Sequence, residues 1–389
     1  MKKKLKIVVL VDISRGFDRD VLAGITRFNR IYDKFQFFFY TPKYVDEQNQ
    51  KKIVSRIKSW QPDGILTREI KGFESLLKLN IPLIMFPQTN LYKDHINVWP
   101  DNKAIGEMAA GHFISKGYKH FAFLGFKDFQ WSQERLQGYM ETVKQAGCSV
   151  NAFLYDNTTL LWEHLSERLV EWLSALQRPC AIFSANDELN IPLLEAAKQC
   201  DARVPDDFSI IGVDNDTMVC EMTSPTLSSI EPEVRQAGFQ AALTICQWIE
   251  TGEKPSGDIV VKPLKIIARN STMAWSVDDE QVRIALHYIA STAPSEDIGV
   301  EDVVRATSLS RRILEKRFQL LVRSSILDEI RKVRIERIKY LLTHSELSVQ
   351  KIASELNFRS FENITRYFRQ YTGIKPLEYR SQFRQAESS

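Results

Sequence analysis

Ser348-Val349-Gln350-Lys351-Ile352-Ala353-Ser354-Glu355-Leu356-Asn357-Phe358-Arg359-Ser360-Phe361-Glu362-Asn363-Ile364-Thr365-Arg366-Tyr367-Phe368 reads as a short helix, a tight turn and a second helix. Asn357-Phe358 makes the turn, and Ser360 stands where its hydroxyl can cap a helix running from Phe361 to Tyr371. Glu362, Asn363 and Arg366 then point outward. The plan occurs once more upstream, in Val303-Val304-Arg305-Ala306-Thr307-Ser308-Leu309-Ser310-Arg311-Arg312-Ile313-Leu314-Glu315-Lys316-Arg317-Phe318, with Ser310 as the expected cap. There Leu314 and Phe318 lie one turn apart on the core side, which turns Arg311, Arg312, Glu315 and Lys316 toward solvent. Between the two units, Ile326 to Leu342 predicts one long helix, about 25 Å at the usual rise per residue. Such a helix can hold two recognition helices as a rigid pair, and successive major grooves on one face of DNA lie about 34 Å apart.

Ile352-Ala353, Asn357-Phe358, Ser360, Phe368, Gly373, Pro376 and Tyr379-Arg380 together resemble the signature of AraC-type transcription regulators over nearly its full length. The resemblance implies an all-α double helix-turn-helix domain that binds double-stranded operator DNA. Its implied DNA-contacting residues are Arg311, Arg312, Glu315 and Lys316 in the first unit and Ser360, Glu362, Asn363 and Arg366 in the second. The chain departs from the pattern at Asn357, where the family has glycine, and at Val304 and Ser308, where alanine and glycine are usual. Asparagine tolerates the left-handed turn conformation, so the second turn is expected to keep its shape.

Charge agrees once it is divided. Residues 281 to 389 carry 19 Lys and Arg against 13 Asp and Glu, net +6, leaving 33 against 36, net −3, for residues 1 to 280. A basic end is the part suited to phosphate, although a solvated helical surface accounts for the same charges. No apolar run approaches the roughly 18 to 20 residues that cross a bilayer, so no membrane partner is expected. The opening Met1-Lys2-Lys3-Lys4-Leu5-Lys6-Ile7-Val8-Val9-Leu10-Val11 meets Asp12 too early for a secretory segment and reads as a first strand. Five cysteines show no metal spacing and no disulfide framework, which fits a reducing cytoplasm. Six histidines form no cluster. Neither a metal nor a cofactor is expected.

From Leu5 to about Leu264, short apolar runs alternate with amphipathic stretches, the pattern of an α/β domain with parallel sheets. Strands are expected at Lys6–Val11, Gln36–Tyr40, Gly64–Leu66, Pro82–Phe86, Asn97–Trp99, His120–Leu124, Ala181–Ser184 and Ser209–Val213. Helices are expected at Asp18–Tyr32, Asn102–Lys116, Gln133–Ala146 and Leu161–Leu176. Strand signals stop after Arg269-Asn270-Ser271-Thr272. The expected order is therefore a sensor over residues 1–272, a linker at 273–280, and a DNA-binding domain over 281–389 with helix-turn-helix units at about 300–320 and 348–371.

Trp99-Pro100-Asp101-Asn102 through Gly106, Arg135-Leu136-Gln137-Gly138-Tyr139, Ala185-Asn186-Asp187 and Ile211-Gly212-Val213-Asp214-Asn215 resemble the effector domains of the LacI/GalR family. That resemblance implies a two-lobed, periplasmic-binding-protein-like sensor for a small sugar. The residues support it physically. In open α/β sheets, ligands bind beyond the carboxyl ends of strands, where Asp12, Asp187 and Asp214 each follow an apolar run. A polyol needs carboxylates and amides as acceptors, an arginine as a forked donor, and an apolar ring against its C–H face. Asp101, Arg135, Asn186, Asp187 and Asp214 supply the polar set, with Trp131 and Phe17 as candidate faces. Asp12, Asp101 and Asp187 read equally well as helix caps or turn formers, and Trp131 as a packing residue.

A sensor followed by an AraC-type reader resembles the xylose-responsive operon regulators. Arg15-Gly16-Phe17-Asp18-Arg19 and Trp131-Ser132-Gln133-Glu134-Arg135 carry that likeness, adding Asp18 to the site. It implies D-xylose as effector, activation of xylose-use genes, a homodimer and contact with RNA polymerase. A regulator answering another sugar stays open from the residues alone. So does a pentose-acting enzyme domain fused to a DNA reader, although no P-loop, dinucleotide glycine fingerprint or paired nucleophile and base is present. A purely architectural DNA-binding protein would leave the strand-end polar set without a use.

Overall fold

The computed structural model describes residues 4–40, 47–69, 74–156, 162–273, 275–277 and 279–388. The chain divides into two compact units, one of Met1–Ser115 and Lys119–Thr272, the other of Lys116–Tyr118 and Met273–Ser389. Met1 to Lys3 and Leu161, included in the expected first strand segment and fourth helix, lie outside the described residues.

The first unit has two lobes. One lobe begins with β1 (Leu5–Leu10), α1 (Gly16–Tyr32), β2 (Phe35–Tyr40), α2 (Glu47–Trp60), β3 (Gly64–Thr67), α3 (Glu74–Leu77), β4 (Leu83–Met85) and β5 (Ile96–Pro100). The other holds α4 (Asn102–Ser115), β6 (His120–Phe126), α5 (Gln130–Gln145), β7 (Val150–Tyr155), α6 (Trp162–Ala175), β8 (Cys180–Ser184), α7 (Asn190–Gln199), β9 (Phe208–Val213), α8 (Thr217–Met222) and β10 (Ser228–Pro232). The chain then returns through α9 (Val234–Thr251) and β11 (Ile259–Val261) before β12 (Pro263–Ile267). The sheets run β11-β5-β4-β3-β1-β2 and β12-β10-β9-β8-β6-β7, parallel except for the β10–β12 pair. Strands β3, β8 and β9 are buried along their whole length, as strands covered on both faces must be.

The expected α/β, two-lobed architecture is therefore found, and all eight expected strands are present. Strands β7, β10, β11 and β12 were not anticipated. β7 is an edge strand on which only Phe153 is buried. β10 opens with Ser228 and Ser229, whose burial is made tolerable by bonds such as Ser228 Oγ to the Arg269 carbonyl at 3.0 Å.

Three segments cross between the lobes, at Asp101, Glu233 and Lys262, and they are laced together. The Asp101 amide donates to Val261 O and the Glu233 amide to Lys262 O, both at 2.9 Å. Each lobe also contains one helix pair in backbone contact. A Cβ on Gly238 of α9 would sit 2.2 Å from the Val21 carbonyl of α1, and one on Gly106 of α4 would sit 2.1 Å from the Arg135 carbonyl of α5. The second pair fixes where Arg135 enters the space between the lobes.

The second unit is helical: α10 (Glu280–Thr292), α11 (Val300–Arg305), α12 (Arg311–Val322), α13 (Ile326–His344), α14 (Val349–Glu355), α15 (Phe361–Thr372) and α16 (Pro376–Ser388). It has two cores. One gathers Leu314, Phe318, Ile326 and Ile330; the other gathers Ile335, Ile338, Ile364 and Phe368. Helix α13 serves both, as the long central helix was expected to. Trp275 and Val277, within the segment expected to be a linker, pack on the first core, because a large aromatic ring gains more there than in water.

The turns differ in an instructive way. Asn357 has φ 55°, the left-handed conformation expected of it. Ser360 caps α15 by accepting from the Asn363 amide at 3.3 Å. Ser310 occupies the corresponding position before α12, but its side chain makes no capping bond, contrary to expectation. Ser360→Ala should therefore cost about 1 kcal/mol of local stability and Ser310→Ala only a few tenths, read as hydrogen exchange in the first turns of α15 and α12. Equal losses at both sites would contradict this account.

Candidate functional site

The carboxyl ends of both sheets face a cleft within the first unit. Arg15, Gly16 and Phe17 reach it from the start of α1, Arg68 from just after β3, Gln88 from beyond β4 and Trp99 from β5. Trp131 and Arg135 reach it from α5, while Asn186, Asp187, Glu188, Asp214 and Asp216 follow β8 and β9. A parallel sheet places every such strand end on one edge, so residues far apart in sequence converge without any loop having to travel.

Arg135 is the centre of the polar set and is only 3% exposed. Its Nε donates to Asn102 Oδ1 at 3.0 Å, Nη1 donates to the Ala185 carbonyl, and Nη2 stands 4.0 Å from Asp214 Oδ1. Its guanidinium lies 4.9 Å from the Trp131 ring centroid, and Trp131 stacks on Phe129 at 5.9 Å. Trp131 is thus held face-on, with Nε1 donating to the Gln88 carbonyl across the cleft at 3.1 Å. Burial lowers the affinity of Arg135 for its proton, and the carboxylates of Asp214, Asp187 and Glu134 offset that.

Asp187 and Asp214 are both pushed above the ordinary carboxylate range. For Asp187 burial is the largest cause and the neighbouring Asp214 charge the next; for Asp214 burial again leads, opposed by Arg135. Asp187 Oδ2 accepts from the Asp216 amide at 2.9 Å and from Cys220 Sγ at 3.4 Å. Its Oδ1 is buried without a hydrogen-bond partner in the protein. Asp214 sits at φ 100°, a backbone conformation that L-residues rarely adopt and that recurs at binding sites.

Phe17, Trp131, Arg135, Asn186, Asp187 and Asp214, six of the nine expected effector residues, come together here. Asp12, Asp18 and Asp101 do not line the cleft. Asp12 accepts from the Ser14 amide and hydroxyl in a local turn. Asp101 accepts from the Ala104 amide at 3.1 Å, the capping role weighed against it. Asp18 is fully buried, accepts the Asp12 amide and pairs with Arg68, so it acts behind the wall of the cleft.

In the second unit, Arg311, Arg312, Glu315 and Lys316 are all exposed on α12, and Glu362 and Arg366 are exposed on α15. Asn363 is half-buried and accepts from Arg366 Nη2 at 3.0 Å. Arg311 is tied on its own surface, to Glu301 at 2.6 Å and Glu315 at 2.9 Å.

Residues 110–272 match the periplasmic binding protein-like domain family, and residues 303–382 match a helix-turn-helix domain family. The xylose operon regulatory protein of Escherichia coli strain K12 is 26% identical over 392 residues, 97% of each chain. That of Haemophilus influenzae is 27% identical over 394 residues, 96% of this chain and 98% of its own. The chain is similar to these regulators over nearly its whole length. The solved structure of the xylose-binding transcription activator xylR superposes with a TM-score of 0.67 at 25% identity, covering 98% of this chain and 99% of that one. The regulator is thus a DNA-binding transcription factor with a helix-turn-helix reader and a periplasmic-binding-like sensor. Among the described residues no helix is long and apolar enough to cross a membrane, and no three His, Cys, Asp or Glu side chains are grouped to hold a metal ion.

Three residues at or beside the cleft, Arg68, Glu134 and Arg19, are not among the nine expected effector residues, and only Arg68 lines it. Arg68 directly follows β3, so the strand-end rule that selected Asp187 applies to it, but that strand was expected to stop at Leu66. Glu134 accepts from Trp99 Nε1 and Asn102 Nδ2, both at 2.9 Å, and from Gln130 Nε2 at 2.7 Å. Its helical neighbours give no sign of this, because Trp99 and Asn102 come from a different crossing segment. Arg19 pairs with Asp216 at 2.6 Å, joining α1 of one lobe to the cap of α8 in the other.

Proposed function

We propose that the first unit binds D-xylose in the cleft and that binding changes how the second unit engages operator DNA, activating xylose-use genes. The observation that carries this reading is the buried Arg135 between Asp214, Asn102 and the Trp131 ring. A neutral sugar suits such a site, since its hydroxyls can donate to carboxylates and accept from a guanidinium while its C–H face covers the indole. Four acidic side chains, Asp187, Glu188, Asp214 and Asp216, stand against three arginines, Arg15, Arg68 and Arg135, in the lining, a near balance that suits a neutral effector. The names of the full-length relatives select xylose among the pentoses.

The effector residues on this reading are Phe17, Trp131, Arg135, Asn186, Asp187 and Asp214, supported by Asp12, Asp18 and Asp101 from behind the wall and the hinge. Helices α12 and α15 read the major groove through Arg311, Arg312, Glu315, Lys316, Glu362, Asn363 and Arg366, with Ser360 fixing the start of α15. The regulator works in the cytoplasm, where its five free cysteines stay reduced. It acts as a homodimer in contact with RNA polymerase. Sugar favours the closed lobes only to the extent that it binds them better than the open ones.

Thermal melting with a panel of sugars tests the effector. D-xylose should raise the melting temperature, since a ligand at about 100 times its Kd adds about 2.7 kcal/mol to apparent stability. Xylose phosphate, glucose and ribose should do much less. A shift with another sugar and none with xylose would overturn the assignment.

A further inference from the structure

The two cores of the second unit are separate, and the residue of α13 that stands between them is charged. Ile330 and Val333 pack on the first core and Ile335 and Ile338 on the second, while Arg334 between them is only 5% exposed. Burying a guanidinium is costly unless its donors are satisfied and its charge is matched. Here they are matched at once by the loop that leads into the first helix-turn-helix and by the end of α14 in the second. Arg334 Nη1 donates to the Glu296 carbonyl and stands 3.2 Å from Asp297 Oδ1, in the loop between α10 and α11. Arg334 Nη2 donates to the Leu356 carbonyl at 3.0 Å, at the end of α14. Its plane lies 4.7 Å from the Phe358 ring centroid, and Phe358 packs at 5.4 Å on Tyr367 of α15. The neighbouring Asn357 closes the same joint, donating through Nδ2 to the Ser295 carbonyl at 3.1 Å.

We propose that Arg334 is a positioning residue that fixes the angle between α12 and α15, and with it the spacing between the two DNA sites the protein reads together. The idea rests on both helices entering DNA, as set out above. A stiff helix sets the distance between the two units, but each can still rock on its own core. A planar guanidinium bonded to carbonyls of both units removes that freedom, because its donors are directional and lie in one plane. A methionine fills the volume without imposing direction, and replacing a buried ion by an apolar residue of similar size is often tolerated. Angle matters to the reader of a duplex, since each added base pair turns the second site by about 34° about the axis.

The test uses the full-length protein, the duplex it selects from a random pool, and versions of that duplex with one base pair added or removed between the two protected sites. Wild type should lose about tenfold or more in affinity for each change, the scale of losing a base contact. Arg334→Met should lose about threefold or less, so that its spacing profile is flattened, with weaker binding to the selected duplex and an unaltered salt dependence, since Arg334 is buried and meets no phosphate. Asn357→Gly keeps the left-handed turn, removes one bond of the joint and should flatten the profile partially. A stable Arg334→Met protein with the wild-type spacing profile overturns the proposal, as does a lowered melting temperature with that profile unchanged. Should Arg334→Met fail to fold, Asn357→Gly decides by the same criterion. Wild type indifferent to spacing would instead remove the reading that both helices bind together, and a wild type sensitive to spacing separates the two failures.

Discussion

Replacing Arg135 by alanine is expected to weaken D-xylose binding by at least about thirtyfold, because truncating one partner of a buried hydrogen-bonded charge pair costs about 2 to 5 kcal/mol. The loss has two parts. The sugar loses the more deeply buried of the two buried arginines that line the cleft, and Asp214 loses the cation that offsets its burial. Asp214→Ala should act in the same direction, since its carboxylate stands 4.0 Å from the guanidinium. Arg135→Lys keeps the charge and loses the fork, so it should fall between alanine and wild type. Titration calorimetry gives the answer directly. Wild-type affinity in either folded alanine variant would show that the sugar lies elsewhere.

On DNA, Arg312→Ala and Arg366→Ala are each expected to lose about 1 to 3 kcal/mol at the preferred base pair and little once that base pair is changed, the mark of an arginine bonded to guanine O6 and N7. Lys316→Ala should instead weaken binding to all sequences alike and lower the salt slope by about one ion. Arg311 starts from a different position, since it must leave Glu301 and Glu315 to reach a base. Exposed ion pairs of that kind are worth little, so the exchange is open to it, but Arg311→Ala should have the smaller effect. Titrations on operator variants at two salt concentrations separate these cases. Unchanged affinity in all of the variants would mean that neither helix faces DNA as described.

How much of this was legible in the sequence depended on whether a local pattern carried the information. Buried parallel strands announce themselves as apolar runs, so β1, β8 and β9 were readable within a residue or two. Edge and crossing strands do not, because half their residues face water or, as with Ser228, are satisfied by partners some 40 residues away. Strand-end position identified Asp187 and Asp214 but could not separate Asp187 from Asp12 and Asp101, whose carboxylates are used by nearby amides. Arg334 left no local trace. It interrupts the apolar stripe of α13, and only the three-dimensional meeting of Glu296 and Leu356 explains it.

The central claim is that sugar in the first unit and DNA on the second are linked, and reciprocal titration of the full-length protein tests it most directly. D-xylose at saturation should change affinity for the selected duplex by a factor in the range of about 5 to 150, and the duplex at saturation should change affinity for D-xylose by the same factor. Tight binding of both ligands, each with an affinity indifferent to the other, would contradict the account.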